Sequence, residues 1–328
     1  MRAFGVSPGK VILVGEHFVV GEAPAIVAAV KLFSTVIVNP DSNSWTTIAS
    51  RSLNHIVRFK GEKSRAVKGG KNAIATLRPI HSLSEAAARH AGVKEQGMSI
   101  EIESEIPVGV GLGSSASIAV STIAAILKLF QARIGRETIR ELAYQSETMI
   151  HGAPSGIDQT IVTYGGVISY ARGRPFTRVK PRRALSLVIG NTGKVRSTGT
   201  MVTKVQERLN KSQVCRSQIM EAATSISARA TRALQSANLQ QLGNLMNLNQ
   251  NLLQMVGAST VELDSLILAA RRAGALGAKL TGAGGGGCMV ALAQRGKEQQ
   301  IADAITRAGG IAYEAAIDER GVRAWLSK

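Results

Sequence analysis

The chain has 328 residues, 45 % of them hydrophobic, which is ample for folded cores and sets an expectation of about two domains. Forty basic residues against 22 acidic ones give a formal net charge of +18, which raises nucleic acid as a partner. The basic residues are scattered, with clusters only at 60–71 and 180–183, and aromatics make up 4 %, too few for a base-stacking surface. The expectation is therefore a solvated basic surface or an enzyme with polyanionic substrates, and no nucleic acid. Cys215 and Cys288 lack ligand spacing, which argues against a disulfide framework and a zinc site. The apolar segment 11–14 is too short for a signal peptide. The most apolar helix, 116–130, carries Ser117, Ser121, Thr122 and Lys128 and falls short of a membrane span. A soluble, cytoplasmic protein is expected, with no membrane partner.

In chain order, "KVILVGEHFVV" and "AIVAAVKLFSTVIVNP" read as strands joined by a turn at 21–24. Residues 39–70 are polar and irregular, with strand fragments near 45–49 and 55–60. A helix is expected over 71–91. In "GMSIEIESEIP", Met98, Ile100 and Ile102 alternate with polar residues, the period of a half-buried strand. Apolar spacing predicts helices over 116–130 and 136–150. "HGAPSGIDQTIVTYGG" places two turn signals around an apolar segment. The basic, Pro-containing stretch 173–184 reads as a domain junction. After it come a strand in "LSLVIGNTG", three helices within 199–273 broken near Ala237 and Gly257, a helix over 296–308, and strands at 311–317 and 322–326. Helices over an antiparallel sheet make the fold class α+β, with domains 1–181 and 182–328.

Four stretches carry candidate chemistry. "PVGVGLGSSASIAV" sets Gly109, Gly111 and Gly113 between a strand and a helix, with Ser114 or Ser115 as N-cap. The open N–H groups and dipole of a helix start make an anion site. The stretch is either a phosphate cradle or a turn that tightens strand-to-helix packing, and it is not a P-loop. "SPGKVILVGEH" puts Lys10 at a strand start and Glu16 and His17 at its end. "ETMIHGAPSGIDQ" holds Glu147 at a helix end and Asp158 after a Pro-Ser-Gly turn, which suits one acid for a metal and one for a proton, or two ordinary helix-end acids. "KLTGAGGGGCMVAL" has five glycines within 282–287. Something approaches that backbone closely, either a ligand or another stretch of backbone.

Together these stretches resemble the GHMP kinase superfamily, named for galactokinase, homoserine kinase, mevalonate kinase and phosphomevalonate kinase. P-G-K-x-x-L-x-G-E-H matches residues 8–17, P-x-G-x-G-L-G-S-S-A matches 107–116, and K-x-T-G-A-G-G-G-G matches 279–287, in the family's order. Within it the chain is most similar to the mevalonate kinase family, archaeal type. "GEHFVVGEAPAIVAAV", "HGAPSGIDQTIVTYGG" and "TGKVRSTGTMVTKV" carry that likeness. It departs from the pattern at Gln159, where Asn is frequent, and at Ile118, where animal members have Tyr.

The resemblance implies an N-terminal domain with a left-handed β-α-β unit and a C-terminal ferredoxin-like domain. It implies ATP and mevalonate as substrates, Mg²⁺ as cofactor, phosphorylation of the C5 hydroxyl, and a homodimer as one arrangement. Pro107, Gly109, Gly111, Leu112, Gly113, Ser114, Ser115 and Ala116 would bind the ATP phosphates. Glu147 and a loop serine, Ser115 in preference to Ser114, would hold Mg²⁺. Asp158 would take the proton of the acceptor hydroxyl, with Lys10 beside it. Glu16, His17, Gly282, Ala283 and Gly284 would line the acceptor pocket. Arg172 and Arg196 are alternatives for the acceptor carboxylate, and Thr198 is a further contact.

Overall fold

The computed structural model describes residues 1–327 other than 22, 94–95, 134, 152–154 and 195–197, and only the backbone at 146, 149–151 and 198. The N-terminal half is built on two long strands, β1 (Arg2–Val14) and β2 (Ala25–Asp41), joined through a 3-10 turn at Phe18–Gly21. They pair antiparallel from Ala3↔Val38 to Val14↔Ile26, with a register shift between Pro8 and Gly9. Such an irregularity re-aims the side chains that follow it, and the next residue is Lys10.

The polar stretch after β2 forms β3 (Thr46–Ser50), β4 (His55–Lys60) and a further strand, β5 (Lys63–Lys68). β5 was not legible because its only apolar pair is Ala66 and Val67 and its lysines line an exposed sheet edge, where charge discourages unwanted strand pairing. Then follow α1 (Gly70–His90), β6 (Gly97–Ser104), α2 (Ser114–Leu129) and α3 (Arg136–His151). β6 pairs antiparallel with β2 and parallel with β3.

Helix α2 lies across β1 and β2, and its small residues let it lie close. Ser117 Oγ donates to Ser7 O at 2.8 Å and Ser121 Oγ to Ser34 O at 3.1 Å. A Cβ on Gly5 would fall 2.0 Å from Ser121 O, so only glycine fits there. The stretch 151–166, expected as turns around an apolar segment, contains a helix instead, α4 (Ile157–Tyr164). Glycines flank it on both sides, and its burial against α2 and β1 overrides the weak helix propensity of its β-branched residues. β7 (Val167–Tyr170) and β8 (Thr177–Val179) then extend the sheet beside β2.

The second half opens with β9 (Ser186–Asn191). The zone expected to hold three helices holds four: α5 (Thr198–Asn210), α6 (Gln213–Gln235), α7 (Leu239–Met255) and α8 (Val261–Arg272). The additional break falls at Ser212, whose hydroxyl caps α6 by accepting from Cys215 N. The expected breaks at Ala237 and Gly257 are present, both residues having positive φ. β10 (Gly277–Thr281), β11 (Cys288–Ala293), α9 (Glu298–Arg307), β12 (Ile311–Ala316) and β13 (Arg323–Ser327) complete the chain.

β9 to β12 form an antiparallel sheet in the order β10-β11-β9-β12, the ferredoxin-like arrangement, with α8 and α9 packed on it. β13 returns to the first sheet and pairs with β1, Ala3 opposite Leu326. One apolar cluster runs through both halves. It joins Val11, Leu13 and Ile26 to Leu187, Ile189 and Val290, with Ile226 and Met246 from α6 and α7. Each such fully buried side chain contributes roughly 1.5–3 kcal/mol, so the two sheets are held by a common core. No helix among the described residues is long and apolar enough to cross a membrane.

Candidate active site

The loop between β6 and α2 is set by its alternate glycines. Gly109, Gly111 and Gly113 have φ of 75°, 88° and 78°, a region that side-chain-bearing residues avoid. Gly113 is the N-cap of α2 and no side chain caps the helix. The first-turn N–H groups are thus left for an anion, with the helix dipole behind them. Pro107 and Val110 lie along the same loop, and Leu112 and Ala116 are buried under it.

Lys10 runs alongside this loop. Its backbone N–H donates to Leu112 O at 2.9 Å. A Cβ on Gly113 would lie 2.8 Å from Lys10 Cγ. The ammonium group ends 2.9 Å from Asp158 Oδ1, in a side chain only 5 % exposed. Asp158 sits in the first turn of α4. The loop before that helix is pinned by Tyr170, whose hydroxyl donates to Ser155 O and would lie 2.9 Å from a Cβ on Gly156. At the other end of α4, Val322 N donates to Thr163 O at 3.1 Å. The returning C-terminal segment therefore props the helix that carries Asp158.

Glu147, on α3, faces the pair. Burial pushes its carboxyl up to about 7, and the charge of Asp158 pushes the same way, against the opposing pull of Lys10. Its Oε2 is buried with no hydrogen-bond partner, and so is the Oγ of Ser114, while Ser115 is exposed. A desolvated, unpartnered carboxylate oxygen is costly and is what a cation satisfies. Among the described residues no group of three or more His, Cys, Asp or Glu is placed to hold a metal. The unpartnered Glu147 oxygen and the loop hydroxyl of Ser114 suit Mg²⁺, which needs one or two carboxylates and takes its other ligands from phosphates and water. The residues present fit that ion.

Glu16 and His17 are placed differently from open pocket walls. Glu16 is 1 % exposed. Its Oε1 accepts from Lys279 Nζ and its Oε2 from Asn249 Nδ2. Burial pushes the Glu16 carboxyl up and the Lys279 ammonium down, each shift countered by the partner's charge. His17 has φ of 61°, and its Nε2 lies 2.8 Å from Ala283 O. A carbonyl only accepts, so Nε2 carries the proton there. The sequence pattern by itself does not mark Lys279, Thr281 and Asn249 as part of this cluster. The available signal was a lysine inside the apolar strand "GAKLT".

In the glycine run, Gly284 is explained by backbone packing. Its Cβ would fall 2.0 Å from Ala258 O, and Gly285 N donates to that same oxygen at 2.8 Å. Gly282 has φ of 83° and Ala283 is buried. Arg172 is exposed in the turn after β7, close enough for its charge to act on Tyr170. Arg196 and the side chain of Thr198 lie outside the described residues. The structure thus brings together Lys10, Asp158, Glu147, Ser114 and the 107–116 loop, while Glu16 joins Lys279 instead.

The GHMP kinase N-terminal domain model matches residues 78–166 and the C-terminal model residues 230–311. Mevalonate kinase of Pyrococcus horikoshii is 38 % identical, over 97 % of this chain and 96 % of its own length. The chain belongs to the mevalonate kinase family of GHMP kinases. That of Aeropyrum pernix is 34 % identical over 97 % of this chain and 96 % of its own. L. major mevalonate kinase, solved in complex with R-mevalonate, superposes with a TM-score of 0.80 at 30 % identity, covering 95 % of both chains. Lactococcus lactis galactokinase gives the same TM-score at 21 % identity, with 98 % of this chain and 95 % of its own covered. The fold is therefore shared by kinases of different acceptors, and acceptor choice has to be argued from the site.

Proposed function

We propose that this chain transfers the γ-phosphoryl group of ATP to the C5 hydroxyl of (R)-mevalonate, giving 5-phosphomevalonate and ADP on the route to isoprenoids. The observation that carries the reading is the Lys10–Asp158 pair at 2.9 Å, beside an uncapped helix start with three glycines at positive φ. The named activity of full-length relatives at 34–38 % identity supports the choice of acceptor.

Phosphoryl transfer is catalysed mainly by positioning and charge stabilisation. The N–H groups from Gly109 to Ser115 and the α2 dipole hold the β- and γ-phosphates. Asp158 accepts the proton of the acceptor hydroxyl. Lys10 holds that carboxylate in place and offsets charge on the transferring group. Glu147 and a loop serine, Ser115 or the unpartnered Ser114, would hold Mg²⁺, which would supply neutralisation of the phosphate charge. Arg172 meets the acceptor carboxylate, with Arg196 as the alternative, and His17 and the Gly282–Ala283–Gly284 turn border the acceptor. A cytoplasmic setting and a homodimer through the helices of 199–256 belong to the same proposal.

The test is Mg²⁺-dependent ADP release from purified protein with mevalonate, 5-phosphomevalonate, homoserine, galactose or no acceptor. Turnover on mevalonate alone is expected. Turnover only on another acceptor would retain the phosphate site and remove the substrate assignment.

A further inference from the structure

The family's first and third motifs meet in the interior, close enough for the Lys10 charge to act on both Glu16 and Lys279. At the end of β1, Glu16 is gripped by Lys279 of β10 and by Asn249 of α7. Asn249 also uses its Oδ1 to accept from Gly15 N at 3.0 Å. Ile12 N donates to Thr281 Oγ1 at 2.8 Å, and Lys279 Nζ reaches Ile12 O at 3.5 Å. Gln250 Oε1 accepts from Leu280 N at 3.0 Å, fixing β10 from the other side. Lys279 is fully buried, as are Thr281 and Asn249. The Glu16–Lys279, Ile12–Thr281 and Lys279–Ile12 contacts cross between the segment that carries Lys10 and the one that leads into the glycine run, and Asn249 and Gln250 of α7 brace the two sides.

A buried ion pair is a poor source of stability, because desolvation offsets its attraction, but removing one partner is strongly destabilising. Well-packed apolar side chains in place of a buried ion pair are often no less stabilising. What the ionic pair adds is direction. A lysine held by the Glu16 carboxylate and the Ile12 carbonyl, and by the carbonyl of Leu280 in its own strand, with the carboxylate's second oxygen on Asn249, fixes β1 against β10 in one register. Undirected apolar packing would let the two slide.

We propose that Lys279 is a positioning residue. Through Glu16 and Asn249 it locks the Lys10 strand against the glycine run, and so sets the distance between the phosphate loop and the acceptor side of the cleft. This rests on the phosphoryl-transfer reading above. It also assigns Glu16 to that lock and not to substrate contact, since both its oxygens are engaged within the protein.

The experiment uses the full chain with Glu16→Gln and Lys279→Met combined, which leaves no unpaired buried charge. Melting temperature, kcat, both KM values and hydrogen exchange at Ile12 and Gly15 are read. A mere stability role predicts wild-type kcat once melting is restored. The lock predicts kcat down by about tenfold or more with KM values within about threefold, because misplaced reactants lose rate before they lose affinity. It also predicts exchange at both amides faster by about tenfold. A well-folded double variant with kcat within about threefold of wild type overturns the proposal.

If the double variant does not fold, Thr281→Val decides. It keeps the side-chain shape and removes the acceptor of Ile12 N. A fall in kcat at constant KM supports the lock, and unchanged kcat and exchange overturn it. Absence of wild-type turnover on every acceptor would fall on the function reading. The lock would then stand or fall on the exchange rates alone.

Discussion

Lys10 Nζ lies 2.9 Å from Asp158 Oδ1, one on a strand held to the phosphate loop and the other in the first turn of α4. Neither can shift without straining its support, since Lys10 N is bonded to Leu112 O and Ser155 O to Tyr170. Asp158→Asn keeps the shape and removes the proton acceptor. Its kcat is expected to fall by about 10²–10⁴-fold, with a KM for ATP near wild type. Near-wild-type turnover in single-turnover assays would remove Asp158 from the role of base.

Gly113→Ala should damage both partners of the loop. The position has φ of 78° and the new Cβ would lie 2.8 Å from Lys10 Cγ. Lys10 is anchored at its backbone and at its ammonium, so it cannot swing away. A stability loss of about 1 kcal/mol or more from the left-handed backbone and a kcat loss of about tenfold or more are expected. Thermal melting and steady-state kinetics check the two separately.

Glu147 gives a pH prediction whose sign is fixed by burial. Its carboxyl is raised to about 7 in the folded chain, from an ordinary value of 4.5. Between these values the folded state holds a proton that the unfolded state has lost. Stability of the metal-free protein therefore falls as pH rises through that window, by at most about 3.5 kcal/mol at about 1.4 kcal/mol per pH unit. Glu147→Gln should remove this dependence. In EDTA the variant should melt a few degrees above wild type at about pH 8 and level with it at about pH 5, while losing Mg²⁺-dependent turnover. Parallel melting curves across that range would contradict the buried carboxylate.

Much of this site was legible in the sequence because its chemistry is local. The glycine loop, the Lys10 stretch and the Asp158 turn are each contiguous, and their spacing forces their conformation. What escaped is non-local. Nothing in "RAWLS" says that it pairs with β1. Nothing in "GEH" says that Glu16 is closed off by Lys279. Helix α4 was hidden because eight residues rich in β-branched side chains between glycines fit a strand as well as a helix, and only packing decides. The glycine run implies a close approach, and at Gly284 the approaching group is the backbone of Ala258.

The two loop serines separate by burial. Ser114 Oγ is buried without a partner and Ser115 is exposed. Ser114→Ala should leave the empty protein as stable as wild type or up to about 1 kcal/mol more so, since an unsatisfied hydroxyl is removed, and should weaken ATP binding. Ser115→Ala should instead raise the Mg²⁺ concentration needed for half-maximal rate. Melting and Mg²⁺ titration of both variants check the assignment, and an unchanged Mg²⁺ requirement in Ser115→Ala would move the metal contact to Ser114.

The most direct test of the central claim is proton-coupled ³¹P NMR of the product made from ATP, Mg²⁺ and (R)-mevalonate. Transfer to the C5 hydroxyl puts the phosphorus next to a methylene group, and a new phosphomonoester triplet is predicted alongside ADP. A singlet would mean transfer to the tertiary C3 hydroxyl, and ADP with inorganic phosphate alone would mean hydrolysis. Either result would contradict the assignment of Lys10 and Asp158 to a primary-alcohol acceptor.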